Sequence, residues 1–563
     1  MDLKKIVKKY ALKNALDYGR ANPNGVIGKV IAESPDAKKD MRETMKLIAE
    51  TIAEVNELTK EQVEEQIQEF VFIEKKPEET KKLSLPGCEE GLVVTRFLPE
   101  PNGYAHLGHA KAFFLNHQLA KDWSGKICLR FDDTNPETES QEFVDSIKEA
   151  LAWLGAEFDS QSFTSDSMPK LIDYCKKLIS SGDAYFCTCQ QEEMRANREA
   201  KKACACRSQS VEENLAGWEK MNSTLNPGDA TIRLKGDLTA LNTVMRDPVL
   251  WRIIHSPHYR QGTKYKAWPT YDFEASIMDS ISGVTHALRS KEYELRDELY
   301  NYILDKLGLR KPVLYDFSRL NIKGTVLSKR HIKPLIEEKK VWGWDDPRLP
   351  TIFGLRRRGI LPEAIKKFVL SFGLSKVESQ PGWDALLTEN RKLLEQQAEH
   401  YFAVENPVKA LIKNAPSSTG LRLAKHPSLE KGTRFLNPKQ SIYVSKKDFD
   451  ELKQGEEVRL KDLYNCIVFE KTQSTIVFKY SGKDLKQNKK LQWVPVEEAI
   501  KCELVELSDL FIDEKFNPAS LRTKQGFCEK DCLQLEEGQV IQFERIGFCK
   551  LDDKQKMRFI ISC

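Results

Sequence analysis

Two histidines three residues apart carry the first chemistry in this sequence. His106 and His109 stand in PEPNGYAHLGHAKA (99–112), where a Pro- and Gly-bearing turn follows an apolar run and leads into a helical pattern. A helix beginning there directs its free N–H groups and both imidazoles at one spot, which favours an anionic ligand such as a phosphate. The same spacing also suits a metal half-site or a solvated helix face. A second cationic element, Ser328-Lys329-Arg330 in NIKGTVLSKRHI, follows about 220 residues later. As a bare string it is a solvated basic turn; beside a phosphate it would neutralise charge developing on leaving oxygens. Asp132 and Asp133 close the run KICLRF before Thr-Asn-Pro, where paired carboxylates can also simply cap the next helix. Cys187-Thr188-Cys189 and Cys204-Ala205-Cys206, fourteen residues apart, offer four thiolates. That is enough to close a tetrahedral structural zinc site, with buried or free thiols as the alternative.

These groups need a frame, and the residue pattern supplies one. From Leu92, short apolar runs alternate with helix-like segments: LVVTRF, HAKAFFLNHQLAKDW, KICLRFD, QEFVDSIKEALAWLG. The alternation predicts a parallel sheet with crossover helices, whose ligand sits at the carboxyl ends of the strands, just after Phe97 and Phe131. WPTYDF (268–273) reads as a later strand, and the cysteines fall in an insertion at about 185–265. Residues 1–75 show apolar positions at helical spacing, and 76–90 form a Lys-, Glu- and Pro-bearing linker. An α/β domain is expected over 91–340, a helical region over 341–400, and β-barrels over 401–563, where segments such as STIVFKYSG and KMRFIIS are β-branched and turn-separated.

A chain of 563 residues is too long for one core. Its 40% hydrophobic content contains no apolar run near the ~20 residues of a membrane span, and its start lacks a secretion-signal pattern. A cytoplasmic protein with no membrane role is expected. Thirteen scattered cysteines argue for reduced thiols or a metal over a disulfide framework. A net charge of +4 leaves the partner open, because local clustering decides nucleic-acid affinity. Arg356-Arg357-Arg358 and Lys479, Lys483, Lys486, Lys489 and Lys490 are the candidate phosphate-backbone contacts.

His106-Leu107-Gly108-His109 with its preceding Pro-Glu-Pro-Asn-Gly-Tyr closely resembles the HIGH motif of class I aminoacyl-tRNA synthetases, in its glutamyl and glutaminyl form. Ser328-Lys329-Arg330, preceded by Ser318-Arg319-Leu320-Asn321, resembles the KMSKS loop, although Val326 and Leu327 replace its opening Lys-Met. The C-terminal segments KLQWVPVEEA, NPASLRTKQGF and IQFERIGFCKLD resemble the β-barrel anticodon region of glutaminyl and archaeal-type glutamyl enzymes. The resemblance implies a Rossmann-type catalytic domain carrying an acceptor-binding insertion, with His106, His109 and Lys329 catalytic. It implies ATP held by these three with Gly108, Arg319 and Ser328, Mg²⁺ travelling with ATP, and L-glutamate held by Arg96, Asp132, Tyr271 and Arg289. Asp132 would meet the substrate ammonium. Arg289 in GVTHALRSKE is the selector, since glutaminyl members resemble one another in a small neutral residue there, whereas a guanidinium matches a carboxylate in charge and geometry. The glutaminyl activity is the alternative. The expected partners are tRNA(Glu), with tRNA(Gln) as a second candidate, acting on a monomer.

Overall fold

The computed structural model describes residues 3–18, 20–38, 40–70, 82–416 and 420–563. The chain divides into two compact units, Met1–Lys81 and Lys82–Cys563. Helices Leu3–Tyr18, Pro23–Glu33, Met41–Asn56 and Lys60–Ile67 make the first unit around Val7, Leu12, Val26, Val30, Ile48 and Ile52. Side-chain caps at Asn22, Asp40 and Thr59 fix where three of them start. Residues 71–81, which include much of the expected linker, lie outside the described residues. The rest of it, 82–90, packs as structure: Leu85 is buried with Val93 and Leu115, and the Trp123 indole N–H donates to the Leu83 carbonyl at 2.7 Å.

The second unit is built on parallel strands. Val94–Phe97, Lys126–Phe131 and Ser160–Phe163 pair in that order, and His286–Ser290 pairs with Val313–Phe317. Thr285 joins the two sets, its N–H donating to the Val94 carbonyl at 2.8 Å and its hydroxyl accepting from Val94 N–H at 2.8 Å. The spatial order therefore reverses between Val94–Phe97 and His286–Ser290, and a crevice at that switch point is where an open α/β sheet holds its ligand. Helices Leu107–Asp122 and Gln141–Trp153 are the crossovers, with Phe113, Phe131, Val144 and Ile147 in the shared core.

Between the two sets stands a four-stranded antiparallel sheet, Ala184–Cys187, Thr231–Leu234, Val249–Ile253 and Ala267–Pro269, packed on Trp218, Trp251 and Trp268. The expected strand over 268–273 is corrected here. Only Ala267–Pro269 is extended; Thr270 precedes a helix, Tyr271–Ile281, whose Phe273 and Ile277 point into the core at helical spacing. Four shorter helices follow within 329–394, and then two seven-stranded barrel-like sheets fill the C-terminal part. Among the described residues no helix is long and apolar enough to cross a membrane.

Candidate active site

A cleft of about 450 Å³ opens at the switch point, lined by Arg96, His106, His109, Asp132, Arg289 and Arg319 among others. His106 caps the helix Leu107–Asp122: its Nδ1 accepts from Gly108 N–H at 3.1 Å, while its own N–H donates to His109 Nδ1 at 3.2 Å. The rings stack with centroids 4.0 Å apart. A Cβ at position 108 would lie 2.9 Å from His106 Cε1, so only glycine lets the first ring fold over its helix. Burial drives the His106 ring far below its ordinary titration range and pushes His109 down to about 4. Both rings are therefore neutral near pH 7. Because each Nδ1 accepts a backbone N–H, each proton sits on Nε2, and the pair offers two hydrogen-bond donors rather than two cations.

Lys329 opens the helix Lys329–Glu337. Its ammonium donates to the Asn102 carbonyl at 2.5 Å and lies 4.4 Å from the centre of the Phe143 ring. That places it on a groove adjoining the cleft, with Asn102 between the two. Burial, then the charge of Lys333, lowers its affinity for its proton. Ser328 lines the cleft and bonds His331 Nδ1 at 3.0 Å, and Arg319 pairs with Glu292. Gly108 contributes the helix-end N–H region.

On the opposite wall, buried Arg96 donates through Nε to Asp279 at 3.0 Å and through Nη1 to the Leu288 carbonyl at 2.7 Å. Arg130 and Tyr300 share the same Asp279, at 2.6 and 2.9 Å. Tyr271 packs on Tyr293, ring centres 4.6 Å apart and planes tilted by 43°. Asp132 borders the cleft rather than capping a helix, the following helix being capped by Ser140. Asp133 points away from it, accepting from Ser165 and Tyr259 and tying the sheet to the insertion; burial pushes its carboxyl up to about 7. Arg289 is 4% exposed. It pairs with Asp297, stands 3.6 Å from Asp316 Oδ1, and none of its three guanidinium nitrogens has a well-directed hydrogen bond. The nearby glutamates are engaged elsewhere, Glu292 with Arg319 and Glu294 with Lys376.

The cysteine sulphurs of 187, 189, 204 and 206 lie within 4.8 Å of one another, with Cys187 and Cys204 at 3.9 Å. Tetrahedral zinc–thiolate bonds of ~2.3 Å imply sulphur separations near 3.8 Å, so the four fit that metal.

Lys111 escaped the sequence reading. It lines the cleft, is 1% exposed, and donates to the Ser318 carbonyl at 2.6 Å and hydroxyl at 3.0 Å; burial pushes it down to about 8. Its position in HAKA, two residues past His109, was the available signal. The Arg356–Arg358 run is a correction in the other direction. Arg356 pairs with Glu149, Arg357 with Asp345 and Asp552, and Arg358 is buried against Trp383 and the Ser562 carbonyl. Arg357 and Arg358 fasten their helix to the C-terminal sheet, and Arg356 ties it to the helix Gln141–Trp153, so the run is engaged within the protein. Lys486 and Lys489 pair with Glu457 and Glu451, and Lys479, Lys483, Lys486 and Lys490 are exposed.

A doubly wound sheet with a helix-capping imidazole pair at its switch point and a lysine beside it defines an enzyme of nucleotide chemistry. Residues 92–396 match the catalytic domain of the class I tRNA synthetases (E and Q), and 398–481 and 490–552 match two anti-codon binding domains of the same group. The chain belongs to that family. It is 44% identical to the glutamate–tRNA ligase of Nitrosopumilus maritimus strain SCM1 over 99% of both chains. It is 39% identical to that of Cenarchaeum symbiosum strain A and 40% to that of Pyrococcus furiosus, each over 98% of both chains.

Proposed function

We infer that this chain joins L-glutamate to tRNA at the expense of ATP, as a glutamate–tRNA ligase that forms a glutamyl-adenylate and passes it to the 3′-terminal adenosine. One observation carries the choice of amino acid: a buried guanidinium, Arg289, lining the cleft with no directed hydrogen bond of its own. Asp297 and Asp316 flank the guanidinium without a well-directed bond, so a substrate carboxylate can supply one, whereas an amide brings an NH₂ group unable to accept.

The remaining roles follow from position. Asp132 receives the substrate ammonium, and Arg96 and Tyr271 frame the amino-acid end. The neutral His106 and His109 rings donate through Nε2–H to phosphate oxygens, and Gly108 between them, with no side chain, lets the nucleotide approach the helix start. Arg319 and Ser328 border the nucleotide, and Lys329 leaves the Asn102 carbonyl to meet the departing pyrophosphate. Mg²⁺ bound with ATP would screen its phosphate charge. Zinc on Cys187, Cys189, Cys204 and Cys206 would be structural, closing the insertion. A monomer acting in the cytoplasm completes the proposal, with a helical domain over 1–75, a catalytic domain over 91–340, a helical connecting region over 341–400 and an anticodon-binding region over 401–563, and with tRNA(Gln) as a second substrate to be tested.

The test is aminoacylation with glutamate and glutamine on purified tRNA(Glu) and tRNA(Gln), using wild type and Arg289→Ala. Glutamate should lead by on the order of 10³-fold in kcat/KM, and Arg289→Ala should damage glutamate use far more than glutamine use. A preference for glutamine, or equal loss of both, would overturn the assignment.

A further inference from the structure

Carboxylates crowd one edge of the cleft, and the reading above uses only Asp132. Its neighbour is Glu274, near enough that each carboxyl shifts the other's affinity for a proton. Glu274 stands in the first turn of the helix Tyr271–Ile281, fully buried, and neither of its carboxyl oxygens receives an N–H or O–H donor from any described residue. Two ionised carboxylates in contact and without a donor between them repel strongly in a buried setting, so the contact holds a proton.

The surroundings decide which group carries it. Asp132 accepts from the Thr134 hydroxyl at 3.3 Å and feels the charges of Arg130 and Arg252. Glu274 has no donor and feels the charges of Asp132 and Asp279; Arg130, the cation that opposes them, binds Asp279 through Nη2 at 2.6 Å. We infer that Glu274 is the positioning residue for Asp132, its carboxyl O–H donating to the Asp132 carboxylate and fixing which way that carboxylate faces the cleft. Burial first, and then the Asp132 charge, push the Glu274 carboxyl well above its ordinary range, in agreement with the geometry. The arrangement leaves one negative charge to meet one substrate ammonium, where two ionised carboxylates would leave an uncompensated buried charge once the site empties. The inference rests on the reading of Asp132 as the ammonium partner.

The test is glutamate-dependent ATP–pyrophosphate exchange by the full chain with saturating tRNA, for wild type, Glu274→Gln and Glu274→Met. Glutamine keeps a donor at the same reach and should leave the KM for glutamate within about threefold, whereas methionine removes the donor at similar volume and should raise it ~10-fold with the KM for ATP unchanged. Infrared spectra should show a buried protonated carboxyl in wild type that Glu274→Gln lacks. If Glu274→Gln raises the KM as much as Glu274→Met, or if wild type lacks the infrared band, the inference is wrong. Should Glu274→Met fail to fold, the glutamine variant and the band still decide. A wild type without glutamate-dependent exchange would overturn the functional reading instead, and the band would then report on Glu274 alone.

Discussion

His106 and His109 show how one backbone turn sets the chemistry of two side chains. Each ring spends its Nδ1 on a backbone N–H and lies half-buried in the cleft, so protonation would cost both a hydrogen bond and part of the solvation of a cation. Nitrogen NMR at pH 6 should therefore find both rings neutral and protonated at Nε2; a ring titrating near 6.5 would exclude the donor role. The linkage has a definite sign. The unfolded chain's imidazoles take up protons near 6.5 and the folded His109 only near 4, so this pair's contribution to stability is present above about pH 6.5 and is lost as pH falls towards 4. The sequence made the histidines, Lys329 and Arg289 legible because short motifs hold them. It did not reveal Lys111, whose partner Ser318 is 207 residues away, or the company of Arg289, because Asp297 and Asp316 meet it only through the fold.

The elements that carry these residues differ in how plainly the sequence announced them. Strands Val94–Phe97 and Lys126–Phe131 and helix Leu107–Asp122 were legible from alternating apolar runs, since buried parallel strands and amphipathic crossovers have distinct periods. WPTYDF was not, because a short apolar run can end one strand and begin a helix without a break in pattern. Arg356–Arg358 misled because charge runs do not show where their partners lie. The insertion gives an element-scale prediction. Its strand Ala184–Cys187 meets the Cys204–Cys206 turn through weak sulphur contacts, Cys187 Sγ at 3.9 Å and the Tyr185 hydroxyl at 3.7 Å from Cys204 Sγ, with Arg233 Nη1 3.7 and 3.8 Å from the sulphurs of Cys187 and Cys204. A dication there replaces thiol contacts with bonds that hold the turn in place. Elemental analysis should find about one zinc per chain, and Cys204→Ser with Cys206→Ser should lose the metal, loosen the insertion and weaken tRNA charging together. Fully active protein without metal would eliminate the site.

Over the whole second unit, the C-terminal sheets reach the catalytic loop directly. Phe511–Ile512 and Lys515–Phe516 form a two-residue hairpin whose Asp513 and Glu514 both take left-handed backbone angles, the geometry of a tight primed turn. Leu510, just before it, is 1% exposed and packs among Ile332, Leu335, Val341 and Leu349, the hydrophobic footing of the helix that Lys329 opens. Phe511 N–H also donates to the Gly324 carbonyl at 3.0 Å, at the start of the loop that carries Ser328 and Lys329. Gly324 has φ +79°, and a Cβ there would lie 2.5 Å from Asp509 Cγ, so the approach of hairpin to loop depends on that glycine. The C-terminal part is thus in packed contact with the helix that Lys329 opens and with the loop before it. Leu510→Ala should cost about 2–5 kcal/mol of this packing. Since Lys329 then loses its footing while Arg289 and Asp132 keep theirs, the rate of ATP–pyrophosphate exchange should fall towards that of Lys329→Ala, itself on the order of 10²-fold below wild type, with the KM for glutamate nearly unchanged. Gly324→Ala should act the same way without removing any apolar contact. If both variants exchange pyrophosphate at the wild-type rate, the hairpin supports the fold but does not set the position of the catalytic lysine.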